Sequence, residues 1–396
     1  MAITGGYLEA QLPAGIRSRF VNNNNGLDMH VLEAGHETPG RPVLLLLHGF
    51  PELAYSWRKI MLPLAAAGYH VVAPDQRGYG RTTGWDGSYD GDLAAYRMLN
   101  LVTDIVGLLS ALGIRSVAAV AGHDFGSPVA GYCALMRPDM FPALALLGAP
   151  FGSVPSFPFD SASRPASGAK AAGSAKPPTA SIHDELAALT PPRMHYQWYY
   201  STRAAENDML HSPQGLHDFL RAYYHVKSAD FKANQPHPLA AWSAAELAKL
   251  PTYYVMEKEK TMPETVAPDM PSAAAITACN WLTDEELQVY AEEFSRTGFQ
   301  GALQWYRCLT EAKLMADLRL FSGRALEVPT CFIAGASDWG IHQKPGELAN
   351  MQQAMGERLL GCHLLEGAGH WVQQEQPEEV ARLLLAFLCS CAAYEA

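Results

Sequence analysis

The sequence predicts an α/β fold: a mostly parallel central sheet with helices on both faces, interrupted by an inserted helical region. Two observations predict it. Short apolar runs that end in Gly-containing loops alternate with stretches of helical periodicity. That alternation stops after Pro150 and resumes only near residue 326. A chain of 396 residues has room for one large domain with an insertion, or for two domains. The core is therefore expected over 1–150 and 326–396, and the helical region over 151–325.

The first apolar run, RPVLLLLHGF, reads as a buried strand feeding a loop, and a helix is expected from about Tyr55 to Ala67. YHVVAPDQRGYGRT repeats the theme of strand and Gly-rich turn. LAAYRMLNLVTDIVGLLSALG has apolar residues at helical spacing and stops at Gly113, a C-cap glycine. SVAAVAG is the next strand, followed by a turn at Asp124, a helix through about Met136 and the strand PALALLGAP. Residues 151–181 are rich in Ser, Ala, Pro and Gly, cannot bury much surface and are expected to form an exposed loop. From about Ile182 to Phe321 the chain reads as mostly helical and dense in aromatics. VPTCFIAGASDWG returns to strand and loop, and RLLGCHLLEGAG leads to His370 and a closing helix. Ligands of such sheets bind at the C-terminal ends of the strands, so the insertion would roof the site.

The chain carries 40 acidic and 29 basic residues, a formal net charge of −11, which argues against nucleic acid and anionic membrane as partners. No stretch reaches the roughly 18 uninterrupted apolar residues of a membrane span, and MAITGGYLEAQLPAG does not read as a secretory signal. The cysteines, Cys133, Cys279, Cys308, Cys331, Cys362, Cys389 and Cys391, are odd in number, irregularly spaced and without a C-x-x-C pair. Reduced thiols in a cytoplasmic protein are expected. No residue cluster has metal-ligand spacing, and neither metal nor organic cofactor is expected.

Four strand ends deliver candidate groups: His48-Gly49-Phe50-Pro51, Asp124, Asp338 and His370. Taken singly, an Asp before a helix is usually an N-cap, and a His after Gly a polar loop residue. Their order is nucleophile, acid, histidine, the order of the α/β-hydrolase fold. In GHDFGS, however, Asp124 stands where such hydrolases carry serine, and Ser127 reads as a residue at the start of the following helix. An aspartate of ordinary pKa, about 3.9, is already ionised at neutral pH and needs no base to attack. Attack on a carbonyl would give an anhydride, an uphill intermediate. Attack on a saturated carbon bearing a leaving group gives an alkyl ester, stable enough to form and labile enough to hydrolyse. Epoxides and alkyl halides are the substrates this chemistry points to. His370 would activate the hydrolytic water and Asp338 would hold the imidazole. The backbone N–H groups of Phe50 and Phe125 would meet the oxyanion. Opening an epoxide also calls for a proton donor, and tyrosine suits that task. His48 is expected to make structural hydrogen bonds, and His123 receives no role.

HGFPE with SWRKIMLPLAAAGYHVVAPDQRGYGRT, GHDFGS, FSRTGFQGALQWYR, GASDWG and GAGHWVQQEQPEEV resemble the epoxide hydrolases of the α/β-hydrolase fold. The tyrosine-rich lid is most similar to that of fungal members. The resemblance implies Asp124 as nucleophile, Asp338 as acid and His370 as base. It implies Tyr306 and Tyr196 as ring-opening tyrosines, with Tyr199 one helical turn away as an alternative to Tyr196. It assigns Pro51, Gln197, Tyr199, Trp339 and Trp371 to substrate binding and implies a cis Phe50–Pro51 bond. A hydrophobic epoxide and water are the expected partners. The sequence departs from many relatives in Phe125-Gly126-Ser127, where Trp-Gly-Gly is common, and in the long 151–181 stretch.

Three other readings use the same scaffold. A haloalkane or haloacetate dehalogenase would employ the same triad, but Phe125 replaces the halide-cradling Trp, and no Arg follows the nucleophile until Arg137. A receptor built on this fold would be expected to lose a triad member, and none is lost. A cyclase, in which an internal hydroxyl opens the epoxide, would differ only in pocket shape.

Overall fold

The computed structural model describes Tyr7, residues 11–152, Val154, Phe157 and residues 181–394. The Ser/Ala/Pro/Gly-rich stretch expected to be an exposed loop lies almost wholly outside the described residues.

Eight strands form one sheet: β1 (Ile16–Asn22), β2 (Asp28–Ala34), β3 (Val43–Leu47), β4 (His70–Pro74), β5 (Ala119–His123), β6 (Leu144–Leu147), β9 (Thr330–Gly335) and β10 (Leu359–Leu365). Their spatial order is β1-β2-β4-β3-β5-β6-β9-β10. The β4-to-β10 portion is parallel, and β1 and β2 add to its edge antiparallel. All residues of β3, β5, β6 and β9 are buried, as strands covered on both faces must be. Each fully buried Leu or Val there contributes about 1.5–3 kcal/mol of transfer free energy. The Arg58–Ala66 and Pro377–Tyr394 helices pack together beside the sheet, and so do the Met98–Ala111 and Gly126–Met136 helices. Gly113, at φ 72°, ends the second of these in chain order.

The N-terminal strands β1 and β2 were not anticipated. Their sequences, IRSRFVN and DMHVLEA, mix charge with apolar residues. The charge is absorbed by buried Glu33 in β2, which takes Arg17 at 2.8 Å, Arg19 at 2.5 Å and His70 at 3.0 Å. A lone buried carboxylate would be costly, and three partners make it tolerable.

Between β6 and β9 the described residues are mainly helical, with a two-stranded antiparallel pair, β7 (Arg193–His195) and β8 (Val255–Glu257). The helices that bear on the site are Tyr196–Tyr200, Leu216–Lys227, Asp284–Thr297 and Gln300–Thr310. Thr283 and Glu286 close a capping box at the start of the third. Gly298, at φ 67°, ends it and turns the chain into the fourth. That fourth helix meets the core backbone to backbone. A Cβ on Gly301 would lie 2.6 Å from the Gly78 carbonyl oxygen, and one on Gly78 would lie 2.5 Å from Gly301. Trp305 Nε1 then donates to the Arg77 carbonyl at 2.9 Å. Arg77 itself is pinned by buried Asp104 at 2.7 Å. Among the described residues no helix is long and apolar enough to cross a membrane.

Candidate active site

β5 ends at His123, and Asp124 follows in a left-handed conformation, φ 49°, before the Gly126–Met136 helix begins. A non-glycine residue in that region is uncommon and marks a constrained turn. The glycines around it exist for close approach: a Cβ on Gly49 would fall 2.4 Å from Asp124 Oδ1, and one on Gly122 would fall 2.1 Å from the Gly126 carbonyl oxygen. The turn lifts the Asp124 carboxylate to the C-terminal edge of the sheet. There the Phe50 N–H donates to its Oδ1 at 2.8 Å, and His370 Nε2 stands 3.3 Å from its Oδ2. The Phe50–Pro51 bond is cis.

His370 follows β10, and its Nδ1 lies 3.0 Å from Asp338 Oδ2. Asp338 follows β9, and its Oδ1 takes the Gly340 N–H at 2.6 Å. Asp124, His370 and Asp338 thus form one chain of contacts drawn from three strand ends. Burial works against the charge on Asp124, but the hydrogen bond and charge of His370, with Lys227 and His123 behind them, hold its carboxyl well below the usual range. Burial likewise opposes the charge on His370, yet Asp338 and Asp124 push its imidazole up to about 9. In this resting arrangement the imidazolium–carboxylate pair is favoured.

A cavity of about 190 Å³ opens on Asp124. Phe125, Tyr196, Gln197 and Tyr306 share its wall with apolar residues that include Met98, Leu101 and Met315. Tyr306 and Tyr196 are both buried, with ring centres 6.0 Å apart. The Tyr196 hydroxyl donates to Gln343 Oε1 at 3.2 Å, and Gln197 Nε2 donates to the Tyr196 oxygen at 3.4 Å. Burial and the nearby Asp124 charge raise both phenols well above their ordinary value, so both keep their protons at neutral pH.

Four expected substrate-binding residues lie outside the cavity lining. The Tyr199 hydroxyl donates to Asp208 at 3.0 Å, because the short helix turns its side chain away from that of Tyr196. Tyr199 is thus absent from the cavity wall that Tyr196 and Tyr306 share. Pro51 presents its carbonyl to the Tyr224 hydroxyl at 3.0 Å. The Trp339 ring packs on His237, 4.8 Å between centres. Trp371 sits behind His370, its Nε1 donating to the Tyr224 carbonyl at 2.8 Å. Ser127 is buried, and its hydroxyl donates to the carbonyls of Gly122 and Leu147, so it serves the turn. His48 accepts the Gln76 N–H at 3.1 Å within the loop framework.

Three buried groups at the site were not assigned from sequence. His123 Nδ1 lies 2.5 Å from Glu52, and its Nε2 lies 2.7 Å from the carbonyl oxygen of His370. Glu52 in HGFPE also takes Gln373 at 2.8 Å. Lys227 places its ammonium among the rings of Tyr196, Tyr223, Tyr253 and Tyr254, 4.7–5.9 Å from their centres. Burial lowers the Lys227 pKa, against the pull of Asp124 and Asp338. The adjacency of His123 to Asp124 was a local signal, whereas the Lys227 cage gathers rings from its own helix and from two distant segments.

Residues 42–377 match the α/β-hydrolase fold family. The chain is 33% identical to epoxide hydrolase A of Mycobacterium tuberculosis over 370 residues, covering 92% of this chain and 95% of that protein. It is 30% identical to an epoxide hydrolase of Caballeronia sordidicola, covering 98% and 95%. Its structure resembles that of an epoxide hydrolase from an endophytic Streptomyces, at a TM-score of 0.70 and 30% identity, covering 95% and 96%. Potato epoxide hydrolase I gives a TM-score of 0.69 at 29% identity, covering 95% and 99%. These relatives are bacterial and plant proteins and do not bear on the expected fungal character. The chain belongs to the epoxide hydrolases of the α/β-hydrolase fold.

Proposed function

We propose that this protein hydrolyses a hydrophobic epoxide to a vicinal diol in two steps. The observation that carries the reading is the Asp124 carboxylate, with one oxygen on the Phe50 N–H and the other facing both His370 and a cavity walled by two protonated tyrosines. In the first step Asp124 Oδ2 attacks an epoxide carbon, the C–O bond breaks, and Tyr196 and Tyr306 both hydrogen-bond the departing oxygen while one of them gives it its proton and is left as a tyrosinate. An alkyl ester on Asp124 results. Esterification removes a negative charge 3.3 Å from His370 Nε2, so the imidazolium pKa falls, its proton replaces the one the tyrosine gave up, and the neutral ring becomes available as a base. In the second step His370 takes a proton from water, and the hydroxide adds to the Asp124 Cγ. The oxyanion forms on the Oδ1 that Phe50 already holds, with the Phe125 N–H as second donor. Collapse breaks the Cγ–Oδ2 bond, the imidazolium, stabilised meanwhile by Asp338, protonates the leaving alkoxide to release the diol, and the regenerated Asp124 carboxyl returns its proton to His370.

The helices between β6 and β9 act as the lid over this site, above a core formed by the rest of the chain. The apolar residues lining the cavity support a hydrophobic substrate. Among the described residues no disulfide joins any of the seven cysteines, which supports a reducing, cytoplasmic compartment.

A single turnover of excess enzyme with styrene oxide in ¹⁸O-water tests the two-step route. The first diol formed should carry no ¹⁸O, and the label should appear in the Asp124 peptide. Labelled diol with unlabelled Asp124 would mean direct attack by water. Halide release from chlorinated substrates without diol formation would point to dehalogenation instead.

A further inference from the structure

Glu375 lies five residues beyond His370, in GAGHWVQQEQ, and its carboxylate gathers three backbone N–H groups. Oε2 accepts from Ala229 at 2.8 Å and from Gly369 at 2.9 Å, and Oε1 accepts from Trp371 at 3.0 Å. Gly369 and Trp371 are the two neighbours of His370. Ala229 belongs to the segment that leaves the Leu216–Lys227 helix. The two strips of chain are in close contact at this point: the His370 N–H donates to the Lys227 carbonyl at 2.8 Å, and a Cβ on Gly369 would lie 2.4 Å from that same oxygen.

A carboxylate is the only side chain with two acceptor oxygens and no donor, so no neutral side chain satisfies three converging N–H groups. Holding charge here opposes folding. Burial pushes the Glu375 carboxyl up to about 7, with Asp230 adding to the rise and the three N–H groups resisting it. A carboxyl raised from 4.5 in this way contributes stability below pH 4.5 and loses it as the pH rises through about 7. Near neutral pH the carboxyl is thus poised between its charged and neutral forms, and the three N–H groups are what favours the charged one.

We propose that Glu375 is a positioning residue for His370: it fixes the backbone on both sides of the imidazole and ties that backbone to the inserted helices through Ala229. The inference rests on the reading of His370 as the base of the second step. It predicts an unequal effect on the two steps, because alkylation by Asp124 does not need His370 as a base and ester hydrolysis does. In Glu375→Gln one N–H would face an amide donor instead of an acceptor.

The test is rapid-quench kinetics and peptide mass spectrometry of Glu375→Gln with styrene oxide, beside wild type and His370→Gln. Glu375→Gln should lower kcat about 10²-fold, the cost of a small misplacement of a catalytic group. It should leave alkylation within about threefold of wild type and accumulate the adduct on Asp124. Loss of both steps together without adduct, or unchanged kcat in the folded variant, would overturn the proposal. If Glu375→Gln does not fold, Glu375→Asp keeps the charge but shortens its reach, and the same partition is read from it. A wild type that forms no diol, or His370→Gln that forms no adduct, would instead contradict the two-step reading itself.

Discussion

The triad groups of the core stand at the ends of strands, whereas the tyrosines and Lys227 of the inserted helices are held by packing between rings. Asp124, Asp338 and His370 follow β5, β9 and β10, whose registers are set by parallel ladders, interrupted only by a shift between Leu359 and Gly361 in β10. Their mutual distances of 3.0 and 3.3 Å are consequences of backbone order. Tyr306 has no ladder beneath it, and Tyr196 has only the end of the short β7–β8 pair, where its N–H donates to the Tyr254 carbonyl at 2.8 Å. They rest on Tyr200, 5.5 and 5.0 Å away between ring centres, and Tyr306 also meets Phe50 at 5.5 Å and Phe125 at 5.2 Å. Backbone ladders fix atoms tightly and tolerate little change. Aromatic packing fixes them through many contacts of about 0.5–1.5 kcal/mol each, so the inserted side of the site can be reshaped while the core stays constant.

The largest effect that separates the two regions comes from removing the donors alone. Replacing Tyr196 and Tyr306 together by Phe should slow alkylation by about 10²–10⁴-fold, read by rapid-quench kinetics, while the fold and the Asp124–His370 pair persist. A rate within a few-fold of wild type would show that other groups protonate the leaving oxygen.

The seam between the regions comes next. Gly301→Ala would drive a Cβ onto the Gly78 carbonyl, 2.6 Å away, and also against Trp85. Overpacking of this kind costs about 1–3 kcal/mol, and it should lift the helix that carries Tyr306. A lowered melting temperature and a reduced kcat are expected together.

Much of this geometry was legible in the sequence, and the reasons differ by region. Asp124, His370 and Asp338 are announced by short local motifs at strand ends, because a turn of that shape admits few residues. Tyr306 was legible through QWYR. The short helix at Tyr196–Tyr200 packs three tyrosines into five residues. Only its rotation distinguishes Tyr196, which faces the cavity, from Tyr199, which meets Asp208. Trp339 and Trp371 sit next to Asp338 and His370 in sequence, but their rings point into packing behind the site. β1 and β2 were missed because Arg17, Arg19 and Glu33 neutralise one another only once the two strands pair, and β7 and β8, at three residues each, are too short to show periodicity.

A smaller effect concerns pH and the core. The His370 pKa is raised from 6.5 to about 9, so its pairing contributes stability that is fully present below pH 6.5 and is lost as pH rises through about 9. The gap in melting temperature between wild type and His370→Gln should therefore narrow between pH 6.5 and pH 9.5, the upper end being about half a unit past the folded pKa. A gap that widens over that range would contradict the ion-pair account. The smallest effect belongs to Tyr199→Phe, which removes a hydroxyl bonded to Asp208 outside the cavity. Turnover should stay within about threefold of wild type, in contrast to the donor tyrosines.

The central claim is that Asp124 carries the substrate as an ester. Intact-mass and peptide mass spectrometry of His370→Gln mixed with styrene oxide tests it most directly, because that variant keeps the nucleophile and both tyrosines but lacks the base for the second step. The account predicts one equivalent of adduct, mapped to the peptide containing Asp124 and absent from the Asp124→Ala, His370→Gln double variant. A folded His370→Gln enzyme that stays unmodified while wild type makes diol, or an adduct at another residue, would contradict it.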